Sequence, residues 1–201
     1  MLLLVSFAVV AGALFFFARR RGLEASFLAD ELREMGEGTW RAVPTDPAWG
    51  PLSPRILAGE VGGDRVEVAG PFFFLPFEHS RELAILRQET PPHDSESFAS
   101  SGHADIDCAL AFRSGDTAWL RGWLSREDVK QALGPLCRRV SDDPSFVAVR
   151  AGRGVGEAAH RKLVGSRSGL FFFRDPESGA LEATDIRDLV GILAPLKHTL
   201  V

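Results

Sequence analysis

Chemistry needs side chains that converge, and three stretches of this chain carry suitable residue types. The first is His103-x-Asp105-x-Asp107. If His103 to Arg113 is a strand, these alternate residues share one face, about 6–7 Å apart along the backbone. An imidazole with two carboxylates at that spacing suits Zn, Mn or Fe, with His93 or His79 as a further ligand. Such a site would make the chain a metal-dependent hydrolase. The same period supports a plainer reading, in which Ile106, Cys108, Leu110 and Phe112 turn inward and the polar set is a solvated face. The plainer reading is preferred: no metal, no cofactor and no catalytic residue are expected.

The second stretch is Gly152-x-Gly154-x-Gly156, which leads from a short strand at Phe146–Val149 into a helix expected from Glu157 to Val164. Backbone amides at a helix start bind phosphate. However, a dinucleotide fingerprint needs glycine where Glu157 stands, and the Gly-Lys-Ser/Thr of a nucleotide-binding loop is missing. The third is a thiol. Arg138 and Arg139 follow Cys137 and would lower its pKa, whereas Cys108 falls on the face assigned to the core, where cysteine acts as a small hydrophobe. No G-x-S-x-G elbow accompanies either.

The elements that would hold these residues follow from periodicity. Leu23, Phe27, Leu28, Leu32 and Met35 form a helical stripe that Gly36 and Gly38 end. Trp40 to Pro54 carries four prolines and reads as a loop pinned by Trp40 and Trp49. Strands are expected from Arg55 to Phe77, with a hairpin turn at Gly62-Gly63-Asp64. Arg81 to Arg87 fits neither period. Residues 90–102 read as a mobile loop. After the strand His103–Arg113 comes a turn at Ser114-Gly115-Asp116, and Thr117 to Trp123 is expected to pair back as a hairpin arm. A helix capped by Ser125 should end its regular part at Gly134-Pro135. A strand at Leu170–Phe173, a turn at Asp175–Gly179 and a short return at Leu181–Ala183 follow. The last helix carries Ile186, Leu189, Val190 and Leu193 at i, i+3, i+4 and i+7, capped by Thr184 or Asp185 and limited by Pro195. Gly70-Pro-Phe-Phe-Phe echoes Gly169-Leu-Phe-Phe-Phe. As strands apolar on both faces, the two Phe runs should be inner strands covered on both sides.

Met1 to Ala18 carries no charge and is followed by Arg19, Arg20 and Arg21. A bilayer span needs about 20 apolar residues, with a lower limit near 17. The arginines would sit at the membrane interface and, by the positive-inside rule, on the cytoplasmic side. Residues 1–21 are therefore expected to be a transmembrane anchor, 22–38 a juxtamembrane helix and 39–201 one cytoplasmic domain. That places the protein in the inner membrane as a single-pass protein, N-terminus outside, with the bilayer as one partner. With the three arginines set aside, 20 basic residues face 27 acidic ones, a balance of −7 that excludes a nucleic-acid binder. Two cysteines form no disulfide framework.

The Asp143-x-x-Phe146-Val147 strand, the helix with Leu163, the strand Leu170–Phe173 and the closing helix after Asp185, together with the membrane-helix layout, resemble a group of bacterial single-pass membrane-anchored proteins of unassigned function. The resemblance implies that layout and no activity. The expected fold class is α+β: an N-terminal transmembrane helix and one mixed α/β cytoplasmic domain with antiparallel hairpins and packed helices. The expected function is a membrane-anchored, non-catalytic interaction or sensory-type module with a protein partner. The metal-dependent hydrolase at His103, Asp105 and Asp107 is the alternative.

Overall fold

The computed structural model describes residues 24–36, 38–44, 55–88, 98–153 and 167–201. They form one nine-stranded sheet in the order β1-β2-β3-β4-β9-β8-β5-β7-β6. The strands are β1 (Thr39–Pro44), β2 (Arg55–Val61), β3 (Asp64–Ala69), β4 (Phe72–Pro76), β5 (Leu83–Arg87), β6 (Phe98–Ala99), β7 (Leu110–Arg113), β8 (Phe146–Arg153) and β9 (Ser168–Arg174). Every pairing is antiparallel. The β8–β9 pair is inserted between β4 and β5, so the two Phe runs become neighbouring central strands. Phe72, Phe73 and Phe74 lie opposite Phe173, Phe172 and Phe171. The sequence echo is thus a cross-strand pairing. It brings Phe74 and Phe171 into a stack at 4.2 Å and sets Phe72 edge-on to Phe173 at 5.6 Å, geometries that favour aromatic pairs.

Strand alternation splits the core in two. Val66, Val68, Phe73, Leu75, Leu83, Ile85, Val149, Leu170 and Phe172 face the helices. Ile56, Ala69, Phe74, Ala148, Phe171 and Phe173 form a second cluster on the opposite face. Glu67 lies on that second face at 1% exposure, paired with Arg65 at 2.8 Å and Arg167 at 2.5 Å. Arg167 in turn covers the Phe74 ring at 4.2 Å. The carboxylate tolerates burial because two cations hold it.

The helices are α1 (residues 24–34), α2 (Ala104–Asp107), α3 (Thr117–Leu124), α4 (Glu127–Asp142) and α5 (Ala183–Leu200). All five bury residues in the larger cluster, so they lie on one side of the sheet. In α1, Ala29 and Leu32 are buried, whereas Phe27, placed on the stripe by sequence, is 69% exposed.

Several expectations are corrected. Among the described residues no helix is long and apolar enough to cross a membrane. The longest, α5, carries Asp185, Arg187, Asp188 and Lys197 and turns its apolar stripe to the sheet. Among the described residues the fold class is therefore mixed α/β with a large antiparallel sheet and no transmembrane helix. The expected single-pass, inner-membrane localisation is corrected accordingly: no described helix supports it. Met1–Arg21, including Arg19, Arg20 and Arg21, lies outside the described residues, as do Trp49 and residues 89–97 of the expected 90–102 loop, of which Phe98–Ala99 form β6.

Trp40 lies not in a loop but in β1, 3% exposed, with its ring packed over Gly59 on β2. Residues Thr117 to Leu124 form α3 rather than a hairpin arm, because Asp116 caps them by accepting from Trp119 N at 2.9 Å. Leu120, Trp123 and Leu124 then fall at i, i+3 and i+4 in the core. Arg126, not Ser125, precedes α4 as its cap residue. Leu181–Ala183 is no strand: Glu182 caps α5, and its amide donates to Asp185 at 3.3 Å.

Neither Pro135 nor Pro195 ends its helix. A proline inside a helix costs about 3 kcal/mol. Beyond Pro135, α4 buries Leu136 and Val140, and beyond Pro195, α5 buries Leu196 and Leu200. Two such side chains contribute about 3–6 kcal/mol together, which offsets the loss.

Candidate functional site

The residues selected by sequence do not converge. His103, Asp105 and Asp107 sit around α2, not on a strand face. His103 is the residue before the helix and Asp105 is exposed on it. The Asp107 carboxylate turns back on its own loop, accepting from Ser100 Oγ at 2.5 Å, Ser101 N at 2.8 Å and Gly102 N at 3.2 Å. Burial works to raise its pKa, but these bonds hold it below the usual carboxylate range. A side chain that satisfies nearby amides competes with the strand ladder, so the strand begins only at Leu110. Among the described residues no three His, Cys, Asp or Glu groups are placed to hold a metal ion.

Cys108 lies at the end of α2 and is exposed rather than in the core, its thiol donating to Asp105 O at 3.3 Å. Burial, and secondarily Cys108, pushes the Cys137 thiol up to about 11, and Arg138 only partly opposes this. Gly152 ends up in β8 with φ +119, pressed against the main chain of Arg81, where a side chain would not fit. Gly154, Gly156, the helix expected at Glu157–Val164 and His93 lie outside the described residues.

What the fold does assemble is a pair of antiparallel helices. At one end, the last turn of α4 meets the first turn of α5 through charge. Arg139 bonds Asp185 at 2.5 Å and Asp143 at 3.2 Å, and Arg174 from β9 reaches Asp185 at 3.1 Å. Burial works to raise the Asp185 pKa, but the Arg139 bond, the Glu182 amide and the two guanidinium charges hold it below the usual range. At the other end the helices part around a groove of about 420 Å³. Its lining is Asp128, Gln131, Ala132 and Pro135 from α4, with Ile192, Pro195, His198 and Thr199 from α5. Both helix-internal prolines face this groove. Each removes a helical hydrogen bond, so the carbonyls four residues earlier, Gln131 O and Gly191 O, lose their amide partner.

The far wall of the groove is the last turn of α5, and side chains from elsewhere hold it. Trp123 Nε1 donates to Thr199 O and Thr199 Oγ1, each at 3.2 Å. Arg126 Nη1 donates to Thr199 O at 3.1 Å while its other nitrogens grip Asp128 at 3.1 and 2.5 Å. The last carbonyls of a helix have no partner within it, and a cation there also complements the helix dipole. The Asp128 carboxyl is held below its ordinary range chiefly by Arg126, against burial. Asp128, Arg126 and the Thr199 hydroxyl are thus all engaged internally, which leaves the groove an apolar floor with its carboxylate paired.

Sequence reading missed this site. Its signal was present, as a proline inside each of two amphipathic helices, but proline reads first as a helix terminator.

No protein-family model matches the chain, and no curated protein matches it. Among solved structures it is similar to the mycobacterial trehalose monomycolate transport factor A, TtfA, at 8% identity and a TM-score of 0.45, over 92% of this chain and 94% of that one. At that level the likeness carries no inference about fold or function.

Proposed function

We propose that this chain is a non-catalytic interaction module that takes an apolar side chain of a partner protein into the α4–α5 groove. The observation that carries the reading is the groove's lining. Ala132, Ile192, Pro135 and Pro195 offer an apolar floor, while its acid is already neutralised by Arg126. Pockets with an apolar floor and a few fixed polar groups suit binding. An uncharged peptide segment fits best: its apolar side chain fills the floor, and its amides meet the Gln131 carbonyl that Pro135 leaves without a helical donor. A cationic ligand would find the groove's carboxylate already held by Arg126.

The test is site-specific photo-crosslinking in cells from Gln131, with exposed Ser141 at the far end of α4 as control. We expect a discrete adduct from Gln131 alone, abolished by Ala132→Trp, which fills the groove, provided circular dichroism shows an unchanged fold. An adduct that persists in the filled variant, or no adduct that differs from the control, overturns the proposal.

A further inference from the structure

We propose that β1 is a self-association edge, which pairs antiparallel with β1 of a second copy of this chain about a two-fold axis at Ala42. This does not rest on the groove or on what the groove binds.

Among the described residues β1 and β6 are the two end strands of the sheet. β6 is two residues long, Phe98–Ala99, and an edge that short is blunted. β1 has six residues, Thr39–Pro44, all in register with β2. An edge of that length is a template for pairing with another chain.

One bond shows which way its main-chain groups point. Arg33 Nε on α1 donates to Trp40 O at 2.7 Å. A side chain from the helix layer reaches that carbonyl because it points off the sheet, away from β2. Thr39 O points the other way, since a Cβ on Gly59 of β2 would stand 2.9 Å from it. In an antiparallel pair this direction alternates residue by residue. The N–H and C=O of Ala42 therefore point off the edge, as Trp40 O does. Those of Arg41 and Val43 turn towards β2, where Ala58 and Ile56 lie opposite.

The hydrogen-bonding groups of this edge match a second copy. About a two-fold axis at Ala42, each Ala42 gives its N–H to the C=O of the other, two bonds from one residue pair. Trp40 then lies opposite Pro44 of the second copy. Proline has no N–H to offer the Trp40 carbonyl, and within each copy Arg33 supplies that donor instead. Arg41 lies opposite Val43 of the second copy, so no like charges meet directly. The helix layer permits the approach. Ser26, Asp30 and Arg33, at i, i+4 and i+7, share the flank of α1 nearest the edge, and Asp30 and Arg33 form an ion pair. Glu24 and Glu31, also seven apart, lie on the far flank. Six residues a side make a small joint, so the dimer is weak and depends on concentration.

The experiment is sedimentation velocity of the full chain from micromolar to sub-millimolar concentration. We expect a dimer that grows with concentration. Ala42→Pro removes the outward N–H and leaves the ladder to β2 intact, because proline is tolerated on an edge strand. It should stay monomeric over the same range with an unchanged circular dichroism spectrum. Register is read by disulfide trapping under mild oxidation in a Cys108→Ser background, which removes the exposed native thiol. Ala42→Cys sets two thiols on directly opposed residues, with Cα atoms about 5.5 Å apart, within disulfide reach. Arg41→Cys sets them on the diagonal, about 7–8 Å apart, beyond that reach. Severalfold more cross-linked dimer is expected from Ala42→Cys, and this comparison decides the matter if Ala42→Pro fails to fold. A wild type that is monomeric throughout, a dimer that survives in folded Ala42→Pro, or equal trapping at the two positions overturns the proposal.

Discussion

Replacing Phe172 by alanine tests how the sheet is built. The residue is on β9, 0% exposed, opposite Phe73 of β4 and Val149 of β8, with the Phe146 ring 5.7 Å away. An aromatic side chain buries about 150–250 Å², which at about 25 cal/mol per Å² is worth about 4–6 kcal/mol. Alanine keeps part of that, and neighbours on a central strand relax little, so the expected loss is about 3–5 kcal/mol. For a chain of this size each kcal/mol moves Tm by about 2–4 °C, so melting should fall by about 6–20 °C. Urea titration of the full chain followed by circular dichroism measures the loss directly. Phe27→Ala is the internal control, because that ring is 69% exposed and should change stability by no more than about 0.5 kcal/mol. A loss below about 1 kcal/mol for Phe172→Ala would refute both the register with β4 and the placement of the helices over this face.

Three further outcomes are expected. Asp107→Ala strands the Ser101 amide and removes the acceptor of the Ser100 hydroxyl and should cost about 1–2 kcal/mol, while Asp105→Ala should stay within about 0.5 kcal/mol. Equal losses would show that the loop bonds are unimportant. In the same melts, chelator or added Zn, Mn or Fe(II) should leave the wild-type transition where it is, and a rise lost in His103→Ala would restore a metal site. Alkylation at pH 8, read by mass spectrometry, should modify exposed Cys108 first, since Cys137 is held as the thiol by burial. Faster labelling of Cys137 would contradict its placement against the core.

Much of the secondary structure was legible where a local rule acts alone. Gly62-Gly63 between alternating strands specified the β2–β3 hairpin, because two left-handed positions select glycine, here at φ 60 and 87. The spacing of Ile186, Leu189, Val190 and Leu193 specified the buried face of α5. The errors came where two local signals competed. Asp116 reads equally as a turn residue and as a helix cap, and taking it as a turn made α3 a strand. His103 to Asp107 alternates well enough to be a strand, but Asp107 is spent on amides within six residues of itself. Pro135 and Pro195 argue for helix ends until burial of the leucines beyond them is counted.

The sequence by itself determined which residues are apolar, at what period, and where glycine and aspartate punctuate them. These are short-range properties, set by sterics and by hydrogen bonds between near neighbours. Only the tertiary structure decided that β8 and β9 slip between β4 and β5 and bring the two Phe runs together. It alone set both proline-bearing helices side by side, and it alone brought Trp123 and Arg126 to the end of α5. Those partners are separated by 73 to 76 residues in the chain. No local period encodes such a meeting, because its energy comes from burying surfaces that exist only once the sheet has formed.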